Sequence, residues 1–298
     1  MSGRFKMNAH ILLYGHLLNW PWRSHLQRRR CRGKAISEAV CTYLHKYIPA
    51  FATVEPAPTP RPEPERIFSV WLQGAENAPK IVQACWKNMR RHCPQELVIL
   101  DEKTLPEWVR LPDYVWEKWH AGKLRPAHFT DIVRLELLYE HGGLWLDSTD
   151  YVASPIPEWI LKEDFFIYGS GNTLRGSYSF VQNCFFRARK GSYLLKCWRE
   201  AVLAYWKEED RIADYFMHQL LFKMVVEYNP KAAGLYARMP HVDQDPTHAI
   251  WYGCPDDPFD ARKFMEITSA AAFQKTDYKS RRAAKPVPGS NADHIVNG

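Results

Sequence analysis

Beyond residue 65 the apolar positions change period in a repeating way. In RIFSVWL (66–72) and ELVIL (96–100) they run almost continuously, as in strands covered on both faces. In PKIVQACWKNMRRH (79–92), Ile81, Val82, Cys85, Trp86 and Met89 recur at helical spacing behind a proline that suits a first turn. Strand, helix and strand predict a βαβ unit. The clearest helix spans 127–141, with Ile132, Leu135, Leu138 and Tyr139 on one face and Gly142 and Gly143 as its stop; LWLD (144–147) follows as a third strand. This alternation predicts an α/β fold with a mostly parallel central sheet covered on both faces. Such sheets bind ligands beyond the carboxyl ends of their strands, and Asp147 stands at one.

The pattern breaks upstream. EPAPTPRPEPE (55–65) carries proline at every second position from Pro56 to Pro64, which excludes helix and central strand and predicts an extended linker. It separates a basic amphipathic N-terminal segment (1–54) from a domain expected at 66–275, with a basic tail at 276–298. Within the first segment, MNAHILLYGHLLNWPWRSHLQRRRCR mixes Ile, Leu and Trp with arginines, as a helix lying beside anionic lipid would. Its apolar runs fall short of the roughly 18 to 20 residues that span a bilayer. An ordinary helix packed on the core and an organelle transit segment are the alternatives.

Charge and cysteines narrow the classes. Of 298 residues, 46% are hydrophobic, enough for one large core or two modest ones. The net charge of +7 is not spread evenly: residues 1–37 hold eight Lys or Arg and no acid, and five basic residues against two acidic follow from Lys275. The body between is mildly acidic, which argues against a nucleic-acid groove through the core. Seven cysteines without a CxxC pair fit neither a disulfide framework nor a zinc ribbon. The expected setting is the cytoplasm, with peripheral contact at the inner face of the membrane through the N-terminus.

The candidate chemistry lies around HGGLWLDSTD (141–150). Asp131 and Arg134, three apart, share a face near the start of their helix, and the chain then rounds the glycines and climbs the strand to Asp147. All three can converge on one crevice; an exposed i,i+3 ion pair is the alternative. A guanidinium fork suits phosphate, Asp131 suits sugar hydroxyls, and Asp147 suits a ribose or a metal ion. Strand alternation puts Asp147 and Thr149 on one face and Asp150 on the other.

HFTDIVRLELLYEHGGLWLDSTDYV resembles the core of the capsular polysaccharide synthesis proteins, and more widely of mannosyltransferase-like and toxin-like sugar transferases. The similarity runs from VWLQG near Trp71 through NCFFRARKGSYLLKCWREAVLAYW and DYFMHQLLFKMVVEYNP to FQKTDYK near Lys275. It implies a GT-A-like single Rossmann-type domain and a retaining glycosyltransferase. The donor would be a nucleotide-diphosphate sugar, and the acceptor a growing capsular or other surface polysaccharide or a lipid-linked glycan. By the same resemblance Trp71 lies against the base, Asp131 and Arg134 contact the donor sugar and its phosphate side, and Asp147 contacts ribose and Mn2+ or Mg2+. The residue two places after Asp147 is Thr149 where the wider group carries a second carboxylate. The metal pair is then Asp147 with Thr149, and Lys275, Lys279 or Arg134 is the alternative source of positive charge beside the donor.

Asn183, Asp214 and His218 are candidates for the acceptor side, the last two sharing a face at helical spacing, with Trp251 and Tyr252 as stacking aromatics. A strand end and a satisfied helix polar residue are the bland readings of Asn183 and His218. His241 and His248 around DQDPT read as a loop. Two other classes remain on the sequence: an aspartate-based phosphotransfer enzyme, which normally carries its aspartate on the first strand, and a non-catalytic sugar-nucleotide or polysaccharide binder.

Overall fold

The computed structural model describes residues 25–56, 65–170 and 178–298, with the side chains of 25–31 left aside. The strands are β1 Arg66–Val70, β2 Glu96–Leu100, β3 Gly143–Leu146, β4 Asp150–Tyr151, β5 Phe165–Gly169, β6 Val181–Ala188 and β7 Gln274–Lys275. A five-stranded sheet has the order β2-β1-β3-β6-β5, while β4 and β7 form a separate antiparallel ribbon. β1 is parallel to β2 and β3, and β6 is antiparallel to β3 and β5. All strands of the sheet except β6 therefore point one way, which is the mostly parallel α/β arrangement that the alternating pattern predicts.

The long helices are α1 His25–Leu44, α2 Lys80–His92, α3 Pro126–His141, α4 Tyr193–Glu208 and α5 Met217–Tyr228, with a short α6 at Asn291–Asn297. α2 begins behind Pro79, ends on Arg90, Arg91 and His92 where the helix dipole favours cations, and buries the apolar stripe read from its spacing. Its Trp86 indole donates to Ser69 Oγ of β1 at 3.1 Å. α3 departs from the one-faced expectation. Besides its apolar residues it buries His128, Asp131, Arg134 and Glu136, so it is enclosed on nearly every side.

Two glycines join α3 to β3. Gly142 (φ 69°) and Gly143 (φ 102°) are in the left-handed region, and a Cβ on them would lie 2.6 Å from Lys190 N and 2.4 Å from Arg66 O. Only glycine permits this turn with the backbone so close. It delivers the helix and the strand side by side.

The described parts of the segments on either side of 66–275 pack on that domain. α1 and the turn after it contribute Val40, Leu44, Tyr47 and Phe51 to the same core as the sheet. At the other end α6 packs on α2 and buries Ala292, Ile295 and Val296, so the stretch after Lys275 is no detached tail. The apolar surface it covers outweighs its positive charge as a structural signal. Most of the linker, 57–64, and residues 1–24, the larger part of the stretch on which the membrane expectation rests, lie outside the described residues. No described helix is long and apolar enough to cross a membrane.

Candidate active site

The site gathers where β1, β2 and β3 end. Leu146 pairs with Phe185, and one residue on, the Asp147 N–H donates to Cys184 O at 2.8 Å, so the reversed strand β6 sets Asn183 beside Asp147. From α3, Arg134 reaches into the same space. Its Nη2 lies 3.3 Å from Asp131 Oδ1 and 3.5 Å from Asp147 Oδ1, its Nη1 donates to Asn183 O, and its Nε donates to Thr130 O at 3.2 Å. The guanidinium also stands 4.7 Å from the centre of the Trp145 ring. Asn183 Nδ2 donates to Asp131 Oδ1 at 2.9 Å and accepts at Oδ1 from Gln219 Nε2 at 3.1 Å. Asp131 and Arg134 are thus one buried network, only 7% and 5% exposed, and not a solvated i,i+3 pair.

The second half of the site comes from the turn after β3. Strand geometry stops at Leu146: the Asp150 N–H donates to Asp147 O at 2.9 Å, and the Asp147 N–H also meets Asp150 Oδ2 at 3.1 Å. This corrects the expectation that Asp150 points away from Asp147 and Thr149, because the alternation of a strand does not pass through a turn. Pairing of β4 with β7 sets Lys275 opposite Asp150, and Thr276 fixes the crossing with two bonds to Thr149 O, from its N–H at 2.9 Å and its hydroxyl at 2.7 Å. The Lys275 ammonium then donates to Asp147 Oδ2 at 2.8 Å, Thr149 Oγ1 at 2.9 Å and Asp150 Oδ1 at 3.0 Å.

Burial opposes ionisation of the Asp147 carboxyl, but Lys275 and Arg134 outweigh it and hold it below its ordinary value. Burial likewise opposes the Asp131 carboxylate; His218, Arg134 and His128 lower it, with a net shift downward. Of these, Arg134 carries the effect at neutral pH, because burial pushes His218 itself down to about 3 and leaves its imidazole uncharged. Asp150 is fully enclosed, and burial pushes its carboxyl up to about 8 against the pull of Lys275. Burial also works against the Lys275 ammonium, yet Asp147 and Asp150 raise it well above the usual lysine range. An ammonium with all three N–H groups satisfied by two carboxyls and a hydroxyl stays charged, and Asp147, held ionised, is its ion-pair partner at neutral pH.

The other expected residues are dispersed. Trp71 follows β1 at the same sheet end, edge-on to Tyr278 with ring centres 5.1 Å apart, and its buried indole N–H has no hydrogen-bond partner among the described residues. His218 is buried in α5 against Trp198, ring centres 4.5 Å apart, and neither ring nitrogen has a hydrogen-bond partner among the described residues. Asp214 precedes α5 instead of sharing its face, and accepts from Tyr178 Oη at 2.8 Å and Phe216 N at 2.8 Å. Trp251 is a correction: it is fully buried and donates from Nε1 to Asp277 Oδ2 at 2.8 Å, so it offers no stacking face to an acceptor. Its apolar ring was drawn inward by the packing of the C-terminal segment.

Sequence reasoning passed over His128, Trp145, Cys184 and Gln219. His128 lies 3.4 Å from Asp131 Oδ2 at i,i+3, a spacing that was visible in HFTDIVR. Cys184 and Gln219 adjoin Asn183 and His218 in the chain but carry no signal of their own. Asp147, Asp150 and Cys184 bring potential metal-ligand atoms within 4.8 Å of one another. The fit for Mn2+ or Mg2+ is poor: burial raises the Cys184 thiol well above its usual value, thiols suit softer metals, and Lys275 already engages the oxygens of Asp147, Thr149 and Asp150.

Comparison with known proteins agrees with the resemblance. Residues 20–290 match the profile of a family described as Capsular polysaccharide synthesis protein. Glycosyltransferase afumC of Aspergillus fumigatus is 29% identical over 191 residues, 56% of this chain and 47% of that protein. O-glycosyltransferase braB of Annulohypoxylon truncatum is 24% identical over 173 residues, 53% of this chain and 41% of the relative. The chain thus spans less than half the length of these relatives. Among solved structures, PaToxG Glycosyltransferase superposes with a TM-score of 0.40 at 10% identity, covering 89% of this chain and 96% of the other.

Proposed function

We propose that this chain, which belongs to the capsular polysaccharide synthesis protein family, is a glycosyltransferase that moves a sugar from a nucleotide-diphosphate donor to a hydroxyl of a glycan acceptor. The observation that carries the reading is the meeting of Asp131, Arg134, Asn183, Asp147 and Lys275 at the carboxyl end of the sheet. Breaking a sugar–diphosphate bond builds negative charge on the leaving group. Fixed cations beside it stabilise the transition state more than the ground state, and Arg134 and Lys275 are the cations at hand. Asp131 and Asn183 supply a carboxylate and an amide to orient donor hydroxyls. Asp147, 28% exposed at its side chain, is the acid of the network most open to the crevice and serves the ribose side. Trp71, with its unpaired indole N–H at the same sheet end, takes the base.

Retention of anomeric configuration, a GT-A-like fold and a capsular or lipid-linked acceptor belong to the same proposal, and the family match and the resemblance support them. The name of the Annulohypoxylon truncatum relative, an O-glycosyltransferase, favours a hydroxyl acceptor in general. A panel of nucleotide sugars assayed for nucleotide-diphosphate release, with and without glycan acceptor, tests the reading, and proton NMR of the product reads the anomer. Release from one donor class that rises with acceptor is the expected result. Donor binding without release in any arm would favour the silent binder.

A further inference from the structure

The acidic turn is the place where a divalent cation would be sought, and it already holds a cation of the chain's own. Lys275 has three N–H donors, and they go to Asp147 Oδ2, Thr149 Oγ1 and Asp150 Oδ1 at 2.8, 2.9 and 3.0 Å. Those are the oxygens that a metal ion would require. Asp147 Oδ1 is engaged as well, by the Trp145 indole at 2.9 Å and the Arg134 guanidinium at 3.5 Å. The lysine is not a surface side chain that has fallen into a gap. Its backbone is paired with Asp150 in the β4–β7 ribbon, the next residue is doubly bonded to Thr149 O, and its side chain is 16% exposed beside a fully buried Asp150 side chain.

We propose that Lys275 is a built-in counter-cation: its ammonium stands among Asp147, Thr149 and Asp150 where a divalent ion would bind, and donor binding and transfer need no metal at this turn. A metal ion entering here would set a doubly charged cation against a buried ammonium whose three donors are already placed on the same oxygens. The ligand left over is the Cys184 thiol, which burial keeps protonated and which is a poor match for magnesium or manganese. Lys275 also acts as a positioning residue, since it ties Asp147 to Asp150 and fixes the carboxylate that faces the crevice. The effect on transfer rests on the glycosyltransferase reading; the occupancy of the turn does not.

The test is a titration of the full metal-stripped chain with Mn2+, read by the loss of the free-ion electron paramagnetic resonance signal, with and without pyrophosphate, and repeated with Zn2+ in competition. The wild-type chain is expected to retain no more ion than Asp147→Asn does. Lys275→Gln and Lys275→Ala, by emptying the oxygen set, are expected to bind Mn2+ at least tenfold more tightly than wild type and to lose that gain when Asp150→Asn is added. Transfer by wild type should persist in chelator. Mn2+ or Zn2+ binding by wild type that Asp147→Asn removes would overturn the proposal, as would folded Lys275 variants that gain no affinity. If neither variant folds, the wild-type titration decides alone. A chain that transfers no sugar would defeat the functional reading and leave the titration informative.

Discussion

The two halves of the buried charge network meet at Asp147 and differ in how they are built and in what they leave open. The helix half takes His128, Asp131 and Arg134 from two turns of α3 and closes them with Asn183 and Gln219. The turn half takes Thr149 and Asp150 from the residues after β3, but its cation comes from a strand 125 residues further on. The helix half keeps unused hydrogen-bonding capacity: both ring nitrogens of His218 and Oε1 of Gln219, although buried, have no hydrogen-bond partner among the described residues. In the turn half every donor of Lys275 is used. Buried polar groups without partners cost stability, so they persist where a ligand or ordered water completes them. The helix half therefore suits recognition of hydroxyls, and the turn half supplies a fixed charge.

The largest effect is expected where the halves join. Asp147→Asn removes one charge from between two cations and withdraws the exposed carboxylate from the crevice. Turnover should fall on the order of a hundredfold to a thousandfold, the scale seen when a preorganised electrostatic contact is lost. Steady-state kinetics on protein with an unchanged circular dichroism spectrum checks this. Retained turnover would separate Asp147 from the chemistry.

Asp150→Asn probes the turn half alone. With the carboxyl gone, Lys275 keeps only Asp147 as a charged partner inside a closed site, and breaking a buried pair costs about 3 kcal/mol, in full only above about pH 8, where Asp150 is ionised. Chemical denaturation should show that loss at high pH and a smaller one at neutral pH. A loss as large at neutral pH would mean that Asp150 is ionised there, against the direction burial pushes it.

The same contrast explains what the sequence disclosed. The βαβ unit, the glycine stop and the Asp131–Arg134 pair rest on periods of two to four residues, and the fold places them as read. Enclosure of α3 on nearly every side was not legible, because His128, Asp131, Arg134 and Glu136 mark it as polar at those positions and nothing local says that the first three pair among themselves and Glu136 with Arg199. The direction of Asp150 was misread because a strand period was carried into a turn. Lys275 entered through resemblance alone: no local pattern ties it to Asp150, and only β4–β7 pairing does. The C-terminal segment was taken for a tail from its charge, although Ile295 and Val296 at its end are core.

A pH effect sharpens the helix half. Burial pushes the His218 imidazole down to about 3 from 6.5, so the unfolded chain takes up a proton that the folded chain refuses. Stability is therefore full above the unfolded value and falls as the pH drops, by about 1.4 kcal/mol per unit. By about pH 5 this one residue has removed about 2 kcal/mol. His218→Phe keeps a ring against Trp198 and should flatten the acid limb of a stability–pH curve by that amount. An unchanged slope would mean that the native imidazole accepts a proton, and that the Asp131 network is not closed to one.

The smallest effect is expected at Trp251, which supports the turn half from behind. Its indole N–H donates to Asp277 Oδ2 at 2.8 Å, and Asp277 Oδ1 in turn accepts from the backbone N–H groups of Lys279 and Ser280 at 2.9 and 2.6 Å, closing the loop that follows Lys275. Trp251→Phe keeps most of the buried ring and removes the donor. One hydrogen bond to a charged acceptor is worth about 1.5 kcal/mol, of which the two backbone donors retained by Asp277 recover a part, so a loss of about 1 kcal/mol is expected. The KM for a glycan acceptor should not move, because a fully buried ring touches none. A several-fold rise in that KM at unchanged stability would return Trp251 to the acceptor side, and would require the C-terminal segment to open as the acceptor binds.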